Sequence, residues 1–373
     1  MGKQRFYLLP GFFGFANLGE FVYFGHVRNM LVDELHRRGI DAEVHVVLSH
    51  PTASIRARAR DLLATLTRTA LHDDGPIHLI GHSTGGLDAR LFVTPGADLG
   101  DVQNLPAPET FVGRVKSIVC VATPNRGTGL SPFFTGLMGA KLLELLSLFT
   151  VYVLRFGRIP LKYAFRLASV FIRMDRRLGW KDTVVDQLFA DLLADFSPER
   201  RTAVSAFFKQ VTLDQSLVAQ LAPEGMDLFN AGVGDRPGIR YGSVITQARP
   251  PSLRTRLASG FDPYAQVTQS LYAFLYKRVP IRPPNLSEAH RTALRTGYGL
   301  YPRDTACDGI VPTASQPWGN VIATVWADHL DVIGHFDGPG FTPPHIDWIL
   351  SATGFRRDQF IEVWRKITDY CLA

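Results

Sequence analysis

The 373-residue chain has only three cysteines, Cys120, Cys307 and Cys371, far apart and odd in number. There is no CxxC pair and no Cys/His cluster, so neither a structural zinc site nor a disulfide framework is expected. A Cys120–Cys307 bridge is the one pairing to weigh, and buried free thiols are the expected state. The start, Met1-Gly2-Lys3-Gln4-Arg5, runs directly into Phe6-Tyr7-Leu8-Leu9 and lacks a secretory h-region with a small-residue cleavage site. A cytoplasmic location is therefore expected, with peripheral membrane contact as an extension; a leader already removed would instead mean secretion. Gly2 also lacks the Ser or Thr that a myristoylation context wants. The most apolar stretch, residues 142–149, is too short and interrupted to span a bilayer.

Charge is scarce except in one place. Charged residues make up 20% and hydrophobic ones 46%, the balance of a globular chain. The net charge is +6, but Arg155–Lys181 alone carries eight basic residues and one acid, a net +7. The basicity is local, which counts against nucleic acid as a partner. Past Pro160, Lys162, Arg166, Arg173 and Arg177 fall on one helical face. Leu161, Ala164, Phe165, Ala168 and Phe171 fall on the other. A basic amphipathic helix with aromatics suits an anionic lipid surface, which makes residues 155–181 a candidate for transient lipid binding. A fixed cap helix with a solvated basic face is the plainer reading.

Apolar runs at 6–9, 42–48, 77–80, 115–121, 240–248 and 321–326 read as strands, and helical patterns separate them. That alternation predicts a parallel sheet covered by helices on both faces. Residues 52–71 are helical, with Ile55, Ala59, Leu62, Leu63 and Leu66 on one stripe, and roughly Gly19 to Arg38 forms an earlier helix. Residues 126–230 carry helical patterns and no convincing strand. The expected division is a core over 1–125, a helical cap or lid over 126–235, and a second core part over 236–373. That last part contains a helical insertion at about 250–305 and a closing helix at about 356–370.

Gly81-His82-Ser83-Thr84-Gly85 lies between the apolar strand 77–80 and a helix opening at Gly85-Gly86-Leu87. Strand, tight turn and helix are the setting in which a Gly-x-Ser-x-Gly serine serves as a nucleophile. Attack on a carbonyl also needs donors for the developing oxyanion. The backbone N–H of Thr84 is one candidate and that of Phe12, in Pro10-Gly11-Phe12-Phe13-Gly14, is the other. Phe13 and His82 are candidates for substrate contact. Asp308, in a turn entering an apolar strand, is the candidate acid, and His329, after the strand at 321–326, is the candidate base. Their rivals are His335 and His345 for the base, Asp304 and Asp328 for the acid. Asp328 adjoins His329 in sequence and points the wrong way to bridge to it.

Taken together, Leu9–Gly14, Gly81–Arg90, Thr123–Thr128, Leu221–Asn230, Asp308–Val311 and Asp328–Asp331 make the chain resemble the bacterial true lipases. These are the triacylglycerol lipase branch of the α/β-hydrolases. The pieces occur in the family's order and cover most of the chain outside the two caps. The resemblance implies an α/β-hydrolase fold and ester hydrolysis on hydrophobic acyl substrates through an acyl-enzyme, with no required cofactor. It equally accommodates a polyester depolymerase, a phospholipase or an acyltransferase. A non-catalytic binding module would need a broken triad, and Ser83, Asp308 and His329 are all present. Three departures stand out. Pro10-Gly11 replaces the usual His-Gly, Asn125 replaces a usual His, and no carboxylate near residues 241–243 matches the companion of the family's calcium site. Asp331 maps to that site and is the weak calcium candidate; a structural role for it is the alternative.

Overall fold

The computed structural model describes residues 2–12, 23–100, 102–135, 183–199, 214–252, 263–338 and 350–373. It adds scattered positions between 141 and 169, residues 201, 202, 204 and 205, and Asp347. Phe13, His345, the first turns expected at residues 19–22 and most of residues 155–181 lie outside the described residues.

Six strands form one parallel sheet: β1 (Gln4–Leu9), β2 (Ala42–Val46), β3 (Ile77–His82), β4 (Val115–Val121), β5 (Arg240–Gln247) and β6 (Asn320–Trp326). Their order is β2-β1-β3-β4-β5-β6. The chain winds outward from β1 to β2, returns across β1, and then runs through β3 to β6 in the other direction. The reversal leaves a crevice between the carboxyl ends of β1 and β3, the place where open α/β sheets bind ligands.

Side chains alternate across the strands, and so the sheet has a core on each face. Phe6, Leu8, Ile80, Val119 and Val121 pack with α1 (Gly25–Arg37) and the C-terminal helix Arg357–Leu372. Tyr7, Leu9, Leu79, Ile118 and Cys120 pack with α2 (Ile55–Ala70) and α3 (Gly85–Val93). The apolar stripe expected on α2 is fully buried. All three cysteines are buried and free.

Two expectations change. No strand directly follows Asp308: residues 307–312 close a tight turn through a Cys307–Pro312 bridge and pass into a 3-10 turn, Thr313–Ser315. In the basic segment, Leu161 and Phe165 do not face the core. They are 49% and 57% exposed, beside exposed Lys162 and Arg166. Tyr163 and Leu167 take the buried positions instead, in one cluster with Tyr152, Leu188 and Leu192. The Tyr163 hydroxyl donates to the Asp191 carbonyl, which holds that side of the helix inward. Among the described residues, no helix is long and apolar enough to cross a membrane.

Candidate active site

The turn between β3 and α3 brings backbone so close to backbone that only glycine fits. A Cβ on Gly81 would sit 2.2 Å from the Gly85 carbonyl carbon, and one on Gly85 would sit 2.2 Å from the Leu9 carbonyl oxygen. Ser83, between them, is held at φ 55°, a region that non-glycine residues rarely occupy and that marks functional strain when the surroundings enforce it. Its N–H donates to the Val121 carbonyl at 2.8 Å, which locks the turn onto β4. Thr84 then caps α3, at an end where the first N–H groups have no partner within the helix.

The loop after β1 lies against this turn. A Cβ on Gly11 would come within 2.5 Å of the Ser83 Cβ, so the close approach requires glycine. The Gly11 N–H donates to the Tyr23 hydroxyl at 3.2 Å, and that hydroxyl lies 2.5 Å from His82 Nδ1. The other ring nitrogen of His82 is 2.8 Å from the His329 carbonyl oxygen, which can only accept. The tautomer follows: Nε2 carries the hydrogen and Nδ1 accepts from Tyr23. Burial, then the charge of His329, holds the His82 pKa far below its usual value, while burial raises that of the Tyr23 phenol. Both groups are therefore neutral, as this chain of bonds needs.

The substrate contact expected of His82 is corrected by this arrangement. Its ring is completely buried, both nitrogens are engaged, and it does not line the cavity. It ties the loop after β1, through Tyr23, to the backbone of His329. Tyr23 gave no signal in the sequence, because nothing links it to Gly11 and His82 until the fold does.

Asp308 and His329 meet behind the cavity. His329 Nδ1 is 2.8 Å from Asp308 Oδ2, and the His329 N–H donates to the Asp308 carbonyl at 3.0 Å. Asp308 Oδ1 accepts from the N–H groups of Ile310 and Val311 at 2.9 and 2.7 Å. The Thr246 hydroxyl donates to Oδ2 at 2.7 Å, and Gln316 Nε2 lies 3.4 Å away. Gln316 is held in turn by the Thr246 backbone, accepting from its N–H and donating to its carbonyl. Thr246 and Gln316 carried no sequence signal, since their role arises only when β5 is placed beside the 308–316 turn.

Of the competing acids, Asp328 is engaged elsewhere. Asp328 Oδ1 accepts from the N–H groups of Leu330 and Asp331, and its Oδ2 from the Ser351 hydroxyl. Neither Asp304 nor His335 lines the cavity. Asp331 Oδ2 accepts from the Asp328 N–H and the Thr353 hydroxyl. Burial, then the carboxyls of Asp328 and Asp347, raise the Asp331 pKa well above the ordinary range. Calcium takes six to eight oxygen ligands. Among the described residues no group of three or more His, Cys, Asp or Glu is placed to hold a metal, and protein donors already occupy this pair.

Asn125 is buried, donating to the Gln316 carbonyl at 2.8 Å and accepting from Arg90 at 3.0 Å. It braces α3 against the turn that follows Asp308. Arg58, fully buried on α2, bridges the Asp88 carboxylate of α3 and the carbonyls of Pro10 and His50. The crevice at the strand reversal is thus fixed from below by a buried ion pair.

Above the crevice, a cavity that opens to solvent is lined by Ser83, Thr84 and His329 together with Phe12. The remaining walls are Pro124, Thr128, Leu130, Ser131, Phe134, Val218, Leu221, Leu275, Ile310 and Val311. Segment 126–235 contributes Thr128, Leu130, Ser131, Phe134, Val218 and Leu221, and segment 250–305 contributes Leu275, so both segments wall the cavity.

No family model matches the chain, and no curated protein is detectably similar to it in sequence. Solved structures are similar. EstA from Clostridium botulinum is 20% identical with a TM-score of 0.52, over 95% of this chain and 88% of that one. Lipase 1 from Pelosinus fermentans is 16% identical with a TM-score of 0.50, over 98% of this chain and 99% of that one. These likenesses, with a six-stranded parallel sheet whose reversal carries a serine at positive φ, show that the chain has the α/β-hydrolase fold.

Proposed function

We propose that the protein hydrolyses carboxylic esters of hydrophobic acyl groups through a Ser83 acyl-enzyme. The observation that carries this reading is a single apolar cavity lined by Ser83 and His329, with Asp308 bonded to the far nitrogen of that histidine. Asp308 keeps the hydrogen on His329 Nδ1, so Nε2 is the basic nitrogen and takes the Ser83 proton as the hydroxyl attacks the carbonyl. The backbone N–H groups of Phe12 and Thr84 receive the oxyanion. His329 then hands its proton to the leaving alkoxide. Water, deprotonated by the same nitrogen, attacks the acyl-enzyme and frees the acid.

Among the described residues, the walls hold no acidic or basic side chain other than the proposed base His329, so they suit a neutral acyl chain and oppose a charged one. A p-nitrophenyl ester series from C2 to C16 tests this. Each buried methylene contributes about 0.8 kcal/mol, so kcat/KM is expected to rise about three- to fourfold per carbon until the pocket is filled. A profile that falls from C2 onward would contradict the acyl-pocket reading. Chelator is expected to leave the rates unchanged, since the proposed reaction uses no metal and Asp331 Oδ2 already accepts from the Asp328 N–H and the Thr353 hydroxyl.

The lid reading of the cap rests on residues 132–181, most of which lie outside the described residues. The lipid-surface reading is supported by a smaller feature, the exposed pair Leu161 and Phe165 beside Lys162 and Arg166. Apolar side chains flanked by cations suit the boundary of an anionic bilayer. Sedimentation with vesicles containing phosphatidylglycerol is expected to carry the protein down, and salt or Phe165→Asp to release it. Equal sedimentation with phosphatidylcholine vesicles would overturn the charge dependence.

A further inference from the structure

The polar lining of the cavity is short, and most of it is committed. Thr128 Oγ1 donates to the Ile310 carbonyl at 2.6 Å, and the Ser131 hydroxyl donates to the Val218 carbonyl. Ser83 and His329 are the reacting pair in the proposed function. Thr84 is left. Its residue is 1% exposed, and its Oγ1 is buried with no hydrogen-bond partner in the protein. It does not cap α3 through its side chain, the usual use of a threonine hydroxyl at a helix start. A buried hydroxyl without a partner is costly. Here it belongs to the residue directly after the nucleophile, on the wall of the cavity.

From this, and resting on the acyl-enzyme reading of the site, we propose that Thr84 is a catalytic residue whose side-chain hydroxyl is a third donor to the oxyanion. A threonine carries N–H and O–H on adjacent carbons, so with its hydroxyl gauche to the nitrogen both point at one acceptor. The bond reaches full strength only when the carbonyl oxygen becomes negative, so it lowers the barrier more than it tightens substrate binding. No covalent step is added: the hydroxyl donates to the oxygen in the tetrahedral intermediate and keeps its proton. The same reasoning accounts for a hydroxyl at this buried position. A valine has the same shape and would leave no unpartnered oxygen, yet it could not serve the intermediate.

The test compares Thr84→Val with Thr84→Ser on a soluble p-nitrophenyl ester, with rates normalised by active-site titration with a phosphonate. Loss of an oxyanion donor typically costs about 10²- to 10³-fold in kcat, and with two backbone donors left a fall of about 10- to 100-fold is expected for valine. KM should stay within about twofold, since ground-state binding is not what the hydroxyl serves. Affinity for a trifluoromethyl ketone, whose adduct carries the oxyanion, should fall by about the same factor as kcat. Serine should restore most of the rate. Because valine replaces an unpartnered buried hydroxyl with a methyl group, its melting temperature should be no lower than the parent's. A valine variant within twofold of the parent, or a serine variant no better than valine, overturns the proposal. Should valine not fold, the serine and alanine variants decide in the same way, serine active and alanine not. Ser83→Ala separates the levels: if it is inactive while valine is unimpaired, only the role of Thr84 falls, and if it keeps turnover, the reading of the site falls with it.

Discussion

Ser83→Ala is expected to lower kcat for a good ester by about 10⁴- to 10⁶-fold, the range seen when a serine nucleophile of a triad is removed. The expectation follows from placement. Ser83 sits in a turn whose strain the rest of the fold maintains, opposite His329 on the wall of one cavity. Alanine leaves the glycines at 81 and 85, the bond from residue 83 N–H to Val121 and the packing of β3 on α3 in place. The melting temperature should therefore change by only a few degrees. Circular dichroism and a thermal melt alongside the kinetics check that the loss is chemical. A variant that keeps more than about a hundredth of the parental rate would not fit attack by Ser83.

Asp308→Asn should cost about 10⁴-fold in kcat, for a reason that can be followed atom by atom. Oδ1 is fixed by two backbone N–H groups, from Ile310 and Val311, which need an acceptor. An asparagine must keep its oxygen there, so its amide nitrogen lies where Oδ2 was, facing His329 Nδ1. A donor in that position forces the hydrogen of His329 onto Nε2, the wrong tautomer for taking a proton from Ser83. Thr246 adapts by turning its hydroxyl hydrogen to Gln316 Oε1, 3.1 Å away, and accepting from the amide. The fold should therefore survive, with KM little changed and kcat low across the pH range. A rate within tenfold of the parent would mean that Asp308 is not what sets the imidazole.

How much of this was legible in the residues depends on the distance over which each signal acts. Strands β1 to β6 were readable because their apolar runs are bounded by Pro, Gly and charge, and the stripe of α2 because helical periodicity is local. Ser83 was readable because the elbow's steric demands force glycine at 81 and 85. Chain order pointed to Asp308 and His329 as a pair, and the fold brings their side chains together. The readings that changed depend on contacts across the fold. His82 looked like a substrate contact, because a histidine beside a nucleophile is polar and near; its two partners, Tyr23 and the His329 carbonyl, lie 59 and 247 residues away. The faces of the helix near Lys162 were misjudged because Tyr163, counted on neither face, has a burial partner in residues 188–192. Thr246, Gln316 and Arg58 are ordinary residues whose role exists only once β5, α2 and the 308–316 turn are assembled.

In the proposed reaction the ester's acyl group passes through a covalent bond to Ser83. Intact-mass and peptide mass spectrometry after reaction with a fluorophosphonate tests it most directly. One adduct per chain is expected, on the peptide carrying Gly81-His82-Ser83-Thr84-Gly85, appearing in step with loss of ester turnover and absent from Ser83→Ala. Turnover that persists with Ser83 fully labelled, or inactivation by an adduct at another residue, would contradict it.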